Sequence, residues 1–261
     1  MVTMEIYLVI GFLGLISGFL SGLLGIGGGI VMAPLLLYIP PIFGLEHLTM
    51  QCVAGLTIMQ GLASCLSGAV VHKKMHFVSN QLSLFMGSAI FIFAALGGAG
   101  SKFISNEILL FIFACLSISA AVCMLLPIPH DSEKPDVAMI KFNRFRALTT
   151  ASGVGFLGGL VGQGGSFILI PLMTAYVKIP TRIAIGSNLA IVLLSSIAGF
   201  IGKSLTGQIE WLLTIPIVLT VVPAAVLGGL ISCKVSTICL RRILAALIAA
   251  ASLRIWISLL V

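Results

Sequence analysis

The stretch Gly18–Leu37, GFLSGLLGIGGGIVMAPLLL, interrupts an apolar run with Gly25, Gly27, Gly28 and Gly29 and then resumes as apolar sequence. A second stretch, Gly155–Thr174, GFLGGLVGQGGSFILIPLMT, does the same at an offset of 137. Ten of the twenty positions are identical, among them Gly22, Gly25, Gly27, Gly28 and Pro34. In water such an interruption is a turn. Between runs of lipid length it is costly, because backbone N–H and C=O groups in hydrocarbon need partners. A break there survives only where protein or a water-filled cavity supports it. A chain with two such breaks must therefore build a scaffold around both.

The rest of the chain says that the solvent is lipid. It is 59% hydrophobic and 8% charged, against roughly 25% charged residues in a soluble domain. A transmembrane helix needs roughly 20 apolar residues. The runs 4–24, 48–71, 80–99, 106–127, 182–202, 210–232 and 237–260 qualify, and 147–162 is slightly short. Two more, 30–39 and 166–177, are about half a bilayer long, and each directly follows a glycine break. The N-terminal run lacks a basic leading region and a small-residue cleavage site and carries Glu5. It reads as a retained helix, not a signal peptide.

A second internal match, at an offset of 131, pairs Gly55, Leu62, Ser64 and Gly68 with Gly186, Leu193, Ser195 and Gly199. The expectation is an all-α polytopic membrane protein of two repeats, 1–126 and 147–261, joined by a polar cytoplasmic linker, 127–146. Each repeat holds a glycine-broken helix hairpin and three further helices, which makes about eight full spans and two half-helices in all. Composition leaves open whether the half-helices are re-entrant.

The net charge of +7 does not indicate nucleic acid, because Lys and Arg stand singly or in pairs between apolar runs. They read as topology signals. With His72, Lys73 and Lys74 placed in the cytoplasm, the linker also lies inside, with Lys134, Lys141, Arg144 and Arg146. Parallel repeats would then put Lys178, Arg182, Lys234, Arg241 and Arg242 outside. Inverted repeats put those five inside and leave Lys203 outside. The positive-inside rule favours inversion, with both termini outside. Lys203 aligns with His72 at the second offset. Both read as surface anchors, with an anion vestibule as the alternative. Arg254, near the C-terminus, reads as a snorkelling side chain.

A half-helix that starts at a break presents unpaired N–H groups and the positive end of its dipole, which together favour an anion. Two inverted breaks would face each other near the midplane, where repeat transporters bind solute. The polar residues around them are neutral. Gln163 replaces Ile26, Ser166 replaces Gly29, and Thr57 and Gln60 stand against Ser187 and Asn188. The candidate solute-binding set is Gly27, Gly28, Gly29, Gln163, Gly164, Gly165, Ser166, Thr57, Ser187 and Asn188. Gly25, Pro34, Gly162 and Pro171 are the expected structural breaks. Gly97, Gly98, Gly228 and Gly229 read as helix-packing residues.

Glu5, Glu46, Glu107 and Glu210 all sit at run ends, so no buried carboxylate relay for protons is visible. The six cysteines form no CxxC pair and read as small hydrophobes. No Cys/His/Asp/Glu cluster and no nucleophile–base pair stands out. The reading is therefore no catalytic residue, no metal and no cofactor. The partners are a small anionic solute and the bilayer, with no nucleic acid, and a homodimer is left open.

GLLGIGGGIVMAPLLL and GLVGQGGSFILIPLMT, followed by CVAGLTI and AIGSNLA, resemble the sulfite exporter TauE/SafE family over nearly the whole chain. The resemblance implies a multi-pass transporter of the bacterial inner (cytoplasmic) membrane that carries sulfur-containing anions such as sulfite, sulfoacetate or thiosulfate. Its signature falls here on Gly25, Gly27, Gly28, Gly29 and Pro34, and on Gly162, Gly164, Gly165 and Pro171. The later small-polar motif falls on Gly55 and Thr57, and on Ala184, Gly186, Ser187 and Asn188. Leu56 departs from that motif. The runner-up is a transporter or channel for a cation or neutral solute, which would use the carbonyl ends of the same broken helices.

Overall fold

The structure is a computed structural model that describes residues 4–27, 29–74, 77–125, 142–162, 165–232 and 234–260. The described residues form ten α-helices, with no strands among them. The first five are α1 (Met4–Leu24), α2 (Gly29–Ile42), α3 (Met50–Lys74), α4 (Asn80–Gly100) and α5 (Asn106–Leu125). The second five are α6 (Arg144–Val161), α7 (Ser166–Ala175), α8 (Thr181–Leu205), α9 (Trp211–Ser232) and α10 (Thr237–Leu260). α1, α3, α4, α8 and α9 are long and apolar enough to cross a membrane, consistent with a polytopic membrane protein. Most of the expected linker lies outside the described residues. Its end does not: α6 begins at Arg144, capped by Asn143, whose Oδ1 accepts from the Phe145 and Arg146 N–H groups.

α2 doubles back beside α1, and Ser17 Oγ donates to Met32 Sδ at 3.3 Å. α3 and α8 form the centre. Leu8, Phe12, Leu84, Leu219 and Leu227 face outward on the surrounding helices, whereas Thr57, Gln60, Ser64, Asn188, Ser195 and Ser196 are buried on α3 and α8. This polar-inside, apolar-outside distribution suits a bundle whose outer solvent is lipid.

Close contacts made in one half recur in the other. A Cβ placed on Gly22 of α1 would fall 2.0 Å from the Ala225 carbonyl oxygen of α9, and one on Gly159 of α6 would fall 2.4 Å from that of Ala94 in α4. The offsets of 137 and 131 turn the first contact into the second. Each half thus packs its first helix against a helix of the other, as isologous surfaces do.

The order of contacts gives helix direction. Along α3 and α8, Ile58 meets Gly199, Gly61 meets Ser196, and Gly68 meets Leu189, so the two run antiparallel. Along α1 and α9, Gly14, Gly18 and Gly22 meet Ile217, Val221 and Ala225 in rising order, so these two run parallel.

Candidate functional site

The break after α1 begins at Gly25 (φ 67°), whose N–H still donates to Ser21 O at 2.8 Å. The break after α6 begins at Gly162 (φ 82°), whose N–H donates back to Gly158 and Gly159. Both residues end a helix in the left-handed region, which glycine enters at least cost. Each is also crowded. A Cβ on Gly25 would lie 2.7 Å from Ile185 O, and one on Gly162 would lie 2.2 Å from Ala54 O. Ala54 and Ile185 are themselves equivalent at the offset of 131.

The breaks are tied to the opposite halves of the chain. Thr57 Oγ1 on α3 donates to Gly162 O at 2.9 Å. Asn188 Nδ2 on α8 donates to Gly25 O. Thr57 and Asn188 are equivalent at the offset of 131, and Gly25 and Gly162 at 137. The bond is therefore made twice, once by each half. Ser64 Oγ adds a bond to Gly27 O at 3.3 Å. These carbonyls lose their helical partners where the backbone turns, and buried side chains replace them.

The hydroxyl of Thr57 and the amide N–H of Asn188 hold backbone carbonyls. Ser187 faces elsewhere: its Oγ accepts from the backbone N–H of Ser79, at 3.0 Å. Gly27 (φ 64°) precedes α2, which starts at Gly29, and Gly165 (φ 69°) caps the start of α7. Gly28, Gln163 and Gly164 lie outside the described residues, as does the side chain of Ser166. Pro34 and Pro171 do not end a helix. They sit inside α2 and α7, where the missing N–H removes only one helical bond.

Gln60, one turn along α3 from Thr57, is not in the candidate set, and it is the most informative residue here. It is fully buried, and neither its Oε1 nor its Nε2 has a partner among the described residues. Asn188 Oδ1 is likewise buried without a partner among them. An unpaired buried amide is costly, and a bound solute or water relieves it. The sequence signal was its spacing: Thr57, Gln60 and Ser64 share one face of α3 at helical intervals. Among the described residues, no group of three His, Cys, Asp or Glu stands together to hold a metal.

The sulfite exporter TauE/SafE family model matches residues 10–255. The chain is 26% identical over 240 residues to the probable membrane transporter protein YunE of Bacillus subtilis, covering 85% of this chain and 86% of that one. It is 27% identical to a probable membrane transporter protein of Haemophilus influenzae (74% of this chain, 72% of that one). It is also 27% identical to one of Methanocaldococcus jannaschii (72% and 68%). No solved structure matches the chain. The duplicated breaks, the central polar helix pair and a family match over almost the full length agree: the chain is a membrane transporter protein that belongs to the sulfite exporter TauE/SafE family.

Proposed function

We propose that the chain is a permease of inverted repeats that moves a small sulfur-containing or organic anion, such as sulfite, sulfoacetate or thiosulfate, out across the bacterial inner membrane. The observation that carries this reading is the reciprocal bonding of the breaks, Thr57 to Gly162 and Asn188 to Gly25. It ties both breaks to one central helix pair. The antiparallel course of the equivalent helices α3 and α8 supports inversion. So does charge, since the ends of α3, α7 and α9 then share a side that carries Lys73, Lys178 and Lys234. Eight helices cross, α2 and α7 are the two half-helices, and the starts of α2 and α7 give the anion N–H groups and positive dipole ends. Gly27, Gly28, Gly29, Gln163, Gly164, Gly165 and Ser166 line this place, and Gln60 joins them as an amide donor.

The second reading is a cation or neutral solute. Asn188 Oδ1, a buried acceptor without a partner among the described residues, favours a solute that carries a donor. Binding to the purified protein separates the two. Sulfite, thiosulfate and sulfoacetate should each shift its thermal unfolding, and sodium and amino acids should not. The reverse pattern selects the second reading.

A further inference from the structure

Both ends of the α3–α8 pair carry a buried base at equivalent positions, His72 and Lys203, but the two ends are built differently. At the His72 end, Nε2 lies 3.2 Å from Gly22 O. Beside it Arg182 donates to Val235 O at 2.9 Å and covers the ring of Phe77, 5.4 Å from its centroid. At the Lys203 end the offset of 131 turns Arg182 into Gln51, Val235 into Ile104 and Phe77 into Gln208. Gln51 keeps the equivalent bond, to Ile104 O at 3.2 Å. The aromatic cover has become a carboxamide.

Lys203 is not the surface anchor its place in the sequence suggests. It is 0% exposed. Its Nζ donates to Ser101 Oγ at 2.7 Å and to Gln208 Oε1 at 3.2 Å, both neutral. Gln208 is held in turn by Thr206 Oγ1 at 2.6 Å and Gly98 O at 3.4 Å. An ammonium has three N–H groups, and the third has no partner among the described residues. No carboxylate forms an ion pair with it there.

Gln208 and Thr206 also form the wall of a cavity of about 380 Å³ whose other lining includes Gln51, Cys52, Lys102 and Glu210. One lysine lines the cavity and a second lies directly behind its wall, against one carboxylate, so the place favours an anion. A buried charge without a countercharge is costly, and an anion entering from this side offsets that cost.

We infer that this cavity is a binding station for the transported anion at the mouth opposite His72, separate from the site at the breaks, with Lys102 in its lining and the Lys203 ammonium behind its wall supplying the charge. The inference rests on the proposed anion transport for the identity of the solute, but its test does not depend on transport.

Cys52 is a natural reporter in the cavity wall. In full-length protein with Cys52 as the sole cysteine, its reaction rates with a sulfonate-bearing and a trimethylammonium-bearing methanethiosulfonate are compared. The sulfonate reagent should react about tenfold faster. K203Q should reduce that preference about fivefold, and K203R should keep it. Sulfoacetate should slow the sulfonate reagent in protein that retains Lys203. No protection by sulfoacetate there overturns the station, whether or not K203Q folds, as does a preference that K203Q leaves unchanged. Protection without any anion flux in proteoliposomes upholds the station and sinks the proposed transport. Anion flux without protection does the reverse.

Discussion

At the first break two side chains, Asn188 and Ser64, donate to the carbonyls of Gly25 and Gly27. At the second, Thr57 donates to the carbonyl of Gly162. Between its glycines the first break buries Ile26, which is 0% exposed, where the second has Gln163. The first break is thus an apolar wall pinned at two carbonyls. The second is pinned at the Gly162 carbonyl and has a polar residue, Gln163, in its own sequence. The turn and the cross-bond recur at both breaks, and the residues between the glycines differ.

The largest effect that would break this comparison is all-or-none. Equivalence through inversion requires that Lys178→Cys and Lys234→Cys be labelled from the cytoplasmic side, and Lys102→Cys from the opposite side, by an impermeant thiol reagent in a background without native cysteines. Labelling of position 178 from the outer side only would mean that the two breaks do not face each other.

Next come the glycines. Gly162→Ala forces a left-handed alanine against Ala54 O, and the strain and overpacking together should cost about 3 kcal/mol. Gly25→Ala should behave similarly against Ile185 O. Gly153→Ala is the control: a Cβ there meets nothing within 4 Å, and in a helix it should stabilise by up to about 1 kcal/mol. Thermal unfolding of purified protein measures all three. Equal stability of Gly162→Ala and Gly153→Ala would remove the packing account of the break. Gly165 is crowded too, with a Cβ falling 2.2 Å from Val154 Cγ1. Replacing it therefore reports on folding, and solute binding is better probed at Gln60.

Thr57→Val is close in shape and leaves Gly162 O without its donor, which should cost about 1–3 kcal/mol. Ser64→Ala should cost less, about 0.5–1 kcal/mol. Ser64 Oγ also bonds Gly61 O in its own helix, and Gly25 remains held by Asn188. Equal losses would show that the Ser64 bond at the first break matters as much as the Thr57 bond at the second.

Much of this architecture was legible in the sequence because its signals are local. Glycine runs inside apolar runs mark breaks, and two constant offsets mark the repeat, so the segments and the shortness of α2 and α7 followed. Partnership across the bundle was not legible. Nothing local in the sequence shows that Thr57 and Asn188 reach the carbonyls of Gly162 and Gly25. Ser187 stands next to Asn188 in sequence, but on a helix the neighbouring side chain turns about 100° away, and it meets Ser79. Lys203 misled for a related reason. A lysine near the end of an apolar run normally reaches the interface, and only the packing of α4 and the 206–208 segment over it shows that it does not.

The central claim is that an anion crosses through this bundle without a carboxylate relay. The membrane potential, negative inside, drives an anion outward by roughly 2.3 kcal/mol per charge per 100 mV. For a dianion that is about 4.6 kcal/mol, more than a thousandfold in gradient. The most direct test is efflux of sulfite from preloaded proteoliposomes under an imposed potassium diffusion potential. An inside-negative potential should speed efflux, and an imposed pH gradient alone should not. Efflux that ignores the potential and follows the pH gradient would contradict the account.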